Sequence, residues 1–127
     1  MTKHLDITTL LAIAKAVSQE QKCSNCAGIN ASCWETMPQT FDQDRLGIIG
    51  TLKTGDEESW NEYHPEGTQI WSPNAPIAIQ YHPYNKCDVY ECTSCRTQYL
   101  RYTEFGGYYV DQRIRELNPA LIVENHT

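Results

Sequence analysis

The chain has 127 residues, of which 40% are hydrophobic and 20% charged, enough for one domain with a sizeable core. No apolar run approaches the roughly 20 residues of a membrane span, which excludes a helical integral membrane protein. The formal net charge of -6 opposes strong nonspecific attraction to nucleic acid or to anionic membrane surfaces.

Ile7, Leu10, Leu11, Ala14 and Val17 recur at helical spacing behind Asp6, whose carboxylate is placed to cap the first free amides. The pattern predicts a helix from about 7 to 20. Asp6 and Lys15 interrupt the stretch too early for an export signal, so the expected compartment is the cytoplasm. In that reducing setting, paired cysteines serve as metal ligands more often than as disulfides.

The first such pair follows the helix directly, as Cys23-Ser-Asn-Cys26-Ala-Gly28. Cys33-Trp34 then anchors an irregular stretch, and Leu46–Leu52 has the length and branched residues of a strand, with Gly47 and Gly50 marking a bend. An acidic, turn-rich connection leads to a short strand expected at 68–71. A proline-punctuated loop comes next, then a second strand where Ile77, Ile79 and Tyr81 alternate with polar or small residues.

The segments from Lys86 to Glu91 and from Arg96 to Phe105 read as antiparallel strands joined at Cys92-Thr-Ser-Cys95. Gly106-Gly107 turns the chain into a third strand, giving a meander over about 86–114. The predicted class is α+β: an N-terminal helix, an antiparallel sheet and one domain over 1–127.

Two Cys-x-x-Cys pairs supply the four thiolates of a tetrahedral site, and the expected cofactor is a structural Zn²⁺ held by Cys23, Cys26, Cys92 and Cys95. Around a dication, the four thiolates would take the formal charge from -6 to -8. The pairs, with the second at the tip of a hairpin, resemble the zinc-ribbon group over Cys23–Gly28 and Lys86–Ile114. Two features differ from compact ribbons: 65 residues separate Cys26 from Cys92, and Arg96 stands near a position where ribbons often carry glycine. Lengthening the loop from about 17 to 65 residues costs only about 1.2 kcal/mol of closure entropy, against roughly 10 kcal/mol or more from structural zinc.

Cys33 and Cys87 are possible additional metal-site residues. Cys87-x4-Cys92-x2-Cys95 has the spacing of three ligands of a two-iron cluster, although no cysteine follows as the fourth. His64-Pro-Glu66, with Cys92 and Cys95 downstream, resembles the zinc deaminase string. There, however, the second cysteine pair belongs to a helix rather than a hairpin, and Cys23 and Cys26 would go unused. Redox use of the cysteines is disfavoured because neither pair opens a helix after a strand. No catalytic residues are expected.

Seven of the eight tyrosines lie from Tyr81 onward, and the window from 96 to 115 is locally +2. A two-residue turn at Gly106-Gly107 would pair Phe105 with Tyr108, Thr103 with Val110 and Tyr99 with Ile114 on a core face. Tyr102, Glu104, Tyr109 and Arg113 would then form an outward binding surface. The stretch is also similar to small uncharacterised bacterial proteins. The resulting expectation is a non-enzymatic interaction protein with a protein partner, of inhibitor or immunity type, with single-stranded nucleic acid as the alternative ligand.

Overall fold

Alternation along a strand sends neighbouring side chains to opposite sides, so a strand with apolar residues at both parities must be covered on both faces. The central strand here is of that kind, with Tyr99 and Leu100 both wholly buried. The computed structural model describes residues 3–16, 23–27, 33–38, 41–53, 61–105 and 110–123. Its five strands are β1 (Glu35–Thr36), β2 (Leu46–Thr51), β3 (Asp88–Cys92), β4 (Gln98–Phe105) and β5 (Val110–Glu116). They form one antiparallel sheet in the order β1-β5-β4-β3-β2.

Helix α1 spans Ile7–Ala16, and the continuation expected to residue 20 lies outside the described residues. Asp6 caps it as its position predicts, its carboxylate accepting the Thr9 amide at 2.8 Å. Leu10 and Ala14, one turn apart, enter a core with Leu5, Val89, Leu100, Tyr102 and Leu117 on the first face of the sheet. Gln98 ties helix to sheet by donating to the Ile13 carbonyl at 3.2 Å. The second face holds a smaller cluster of Cys26, Met37, Phe41, Leu46, Cys92, Tyr99 and Ile114.

The bend expected in β2 is a bulge between Ile48 and Gly50. Gly50 is required there, because a Cβ would come within 3.0 Å of three Leu5 side-chain carbons.

Two expected strands are absent. Residues 68–71 and 77–81 are turns, closed by bonds such as Ser72 N to Gln69 O and Tyr81 N to Ala78 O, with Ile77 making a single bridge to Ile122. Ile77 and Ala78 are both fully buried, so that apolar stretch records burial of irregular chain, with Pro73 and Pro76 breaking up any ladder. The β4–β5 register also differs from expectation. Phe105 pairs with Val110, Thr103 with Gln112 and Tyr99 with Glu116, because four residues rather than two separate the paired ends.

Arg115 is wholly buried on the first face. Its guanidinium donates to the Tyr84 hydroxyl and to the carbonyls of Pro73 (3.2 Å) and Ala75 (3.0 Å), fastening the irregular 61–86 segment to the sheet. A lysine ammonium is a point donor and cannot span three such acceptors. Arg115→Lys is expected to lower unfolding free energy by about 2 kcal/mol in urea titrations; a loss under about 0.5 kcal/mol would show that the guanidinium fork holds little.

Candidate metal centre

Cys23 precedes a single helical turn, α2 (Ser24–Ala27), closed by the Ala27 amide on the Cys23 carbonyl at 2.9 Å. Three residues per Cys-x-x-Cys step bring Cys26 back beside Cys23, as i,i+3 positions lie on one side of a turn. The second pair ends β3 and begins the β3–β4 turn. There Arg96 N bonds Cys92 O at 2.9 Å and Cys92 N bonds Thr97 O at 2.8 Å.

The two turns meet so that the sulfurs of Cys23, Cys26, Cys92 and Cys95 all lie within 4.8 Å of one another, with Cys23 and Cys92 at 3.8 Å. A tetrahedron of zinc–sulfur bonds of about 2.3 Å requires sulfur separations of about 3.8 Å, so the cluster has the scale of a metal site. Cys26 and Cys92 are buried, Cys23 and Cys95 half-buried.

The sulfurs hold their protons unequally. The Cys26 amide, pointing at Cys23 sulfur, lowers that thiol's pKa against a burial penalty. At Cys95 burial favours the thiol, but the Cys23 amide and the Thr97 hydroxyl and amide outweigh it and bring the pKa to about 6. The Thr97 hydroxyl stands 3.0 Å from this sulfur. Burial pushes Cys26 the other way, well above the ordinary thiol range. A cation at the centre would reverse that preference, since metal ligation deprotonates thiols.

The other sequence candidates do not join the cluster. Cys33 faces Glu35 Oε1 at 3.6 Å, and Cys87 donates to the Pro83 carbonyl at 3.2 Å within the first-face core. The Cys87, Cys92 and Cys95 spacing therefore does not converge. Both ring nitrogens of His64 are engaged elsewhere, with Thr68 Oγ1 at 2.7 Å and Glu62 Oε1 at 2.8 Å. His82 lies against Tyr102, with ring centroids 6.1 Å apart. Among the described residues, no histidine belongs to the sulfur group.

The expected binding surface is corrected in part. Tyr102 is 4% exposed, its ring edge-on to Trp34 at 4.7 Å, because Trp34 and Tyr84 cover that face of β4. Arg113 is paired with Asp111 at 3.1 Å, and Glu104 lies opposite Asp111. Tyr109 lies outside the described residues. The opposite parity carries Tyr90 beneath Arg101, whose guanidinium carbon is 4.6 Å from the ring centroid, with Ile48 exposed nearby in register with Tyr90. Thr97 was also missed; its place two residues after Cys95 was the available signal.

Comparisons with protein families, curated proteins and solved structures give no match.

Arg96 has φ of 65°, the left-handed conformation that glycine adopts freely. This gives the glycine expected in ribbon knuckles a physical meaning here. Arg96→Gly is expected to stay within about 1 kcal/mol of the parent in thermal unfolding, whereas β-branched Arg96→Val should cost about 1–2 kcal/mol more. Equal stability of the two variants would contradict a conformational role for this position.

Proposed function

We propose that the protein is a zinc-stapled, non-enzymatic interaction module of the cytoplasm, with a zinc-ribbon-like site formed by Cys23, Cys26, Cys92 and Cys95. The observation that carries this is the convergence of four sulfurs from two distant turns. Four thiolates suit zinc and fill every position of its tetrahedron, leaving none for a reactive water. A reducing compartment suits such a site.

A partner surface fits best on the face carrying Tyr90, Arg101 and Ile48, since the opposite face is packed with core at Tyr102. The acidic body, at -6, favours a basic protein over nucleic acid as its partner.

Protein isolated without chelator is expected to carry one equivalent of zinc by elemental analysis, reduced in Cys92→Ser, and to melt at a lower temperature after metal removal. Absence of bound metal would overturn the proposal. Labelled single-stranded oligonucleotides should not bind at about 0.15 M salt. Salt-sensitive binding abolished by Arg101→Ala would replace the protein-partner assignment with nucleic-acid recognition.

A further inference from the structure

Tyr99, on β4, lies in the cluster that holds the four sulfurs. It is 0% exposed, held edge-on against Phe41 with centroids 6.2 Å apart, and packed in one cluster with Cys23, Cys26, Cys92 and Cys95. Its hydroxyl is fully buried and finds no hydrogen-bond partner among the described residues. An orphan donor at such a place is uncommon, because burying an unpaired hydroxyl is unfavourable.

Cys26, buried as deeply as Tyr99, packs in the same cluster. An interaction between the Tyr99 hydroxyl and the Cys26 sulfur accompanies that packing. A neutral thiol is a weak acceptor, whereas a metal-bound thiolate is a strong one. Cys23 and Cys95 already receive backbone amides, and Cys95 also has Thr97. Tyr99 is placed to do the same for Cys26.

We propose that the Tyr99 hydroxyl donates a hydrogen bond to the Cys26 thiolate in the metal-loaded protein, making Tyr99 a positioning residue for the buried ligand. The inference rests on the metal-site proposal above and adds to it a named outer partner. Such partners orient the ligand and disperse its charge, and their loss typically weakens metal binding about 10- to 100-fold.

The test uses cobalt(II) as the probe, with competition by a chromophoric chelator. Tyr99→Phe keeps the ring and is expected to weaken cobalt binding about 10- to 100-fold. It should also move the sulfur-to-cobalt charge-transfer band to lower energy, since a thiolate without its donor gives up electrons more easily. Tyr102→Phe removes a buried hydroxyl from the other core and should change neither quantity. Failure of the unaltered protein to bind cobalt would defeat the metal site itself. Normal binding with an unmoved band and unchanged affinity in Tyr99→Phe would defeat only the role of Tyr99.

A second measurement needs no variant. In cadmium-113-loaded protein, the Tyr99 hydroxyl proton should show scalar coupling to the metal through Cys26 sulfur. A slowly exchanging Tyr99 proton without that coupling would overturn the assignment.

Discussion

Four sulfurs gathered within 4.8 Å are the constraint around which the second face of the sheet is organised. As thiolates they repel one another, and as buried thiols they fill volume with little directional bonding, so a bound cation would make their proximity strongly favourable. The apolar part of that cluster is small: Met37, Phe41, Leu46, Tyr99 and Ile114. Burying five such side chains contributes on the order of 10 kcal/mol before entropy, while structural zinc contributes a similar 10–16 kcal/mol. The proposed metal is thus comparable to the whole apolar cluster it joins.

The parts legible in sequence were those set by neighbours in the chain. Asp6 with its helical repeat, the glycine-marked β2, the meander and both Cys-x-x-Cys turns depend on spacings of a few residues. What escaped depended on distant partners. Alternation along β4 correctly divided Tyr99 from Tyr102, but it could not tell which side would be covered. The cover over Tyr102 comes from Trp34 and Tyr84, far away in sequence. Arg115 counts in the sequence only as one cation of the 96–115 window, because the carbonyl of Ala75 that receives it lies 40 residues earlier. Within the irregular 61–86 segment, Ala75, Ile77, Ala78 and Tyr84 are buried beside that anchor, so the alternation of Ile77, Ile79 and Tyr81 marks burial of irregular chain.

Contacts in the fold engage each cation of the basic window over 96–115. Arg115 is interior, Arg113 pairs with Asp111, Arg96 approaches Glu91 at 3.5 Å, and Arg101 lies over Tyr90. Exposed ion pairs of this kind contribute little stability, and the Arg113–Asp111 pair is already counted in the +2 of that window. Over 86–116 as a whole, five basic and five acidic residues balance.

The 65-residue interval between the cysteine pairs takes on a different meaning in the folded chain. Two strands within it, β1 and β2, pair with β5 and β3 and so extend the meander at both edges. The interval also supplies Trp34, Leu52, Ile77 and Tyr84 to the first-face core, and Met37, Phe41 and Leu46 to the second. Its closure entropy is therefore offset largely by its own packing, before any metal is considered. A cation bound by Cys23, Cys26, Cys92 and Cys95 would then act on ends that the sheet has already brought close. Its effect would fall chiefly on the short turn at 23–27, whose two sulfurs join the second-face cluster. This division lets a widely split ligand set work in a chain whose larger core, on the other face, contains none of the four ligands.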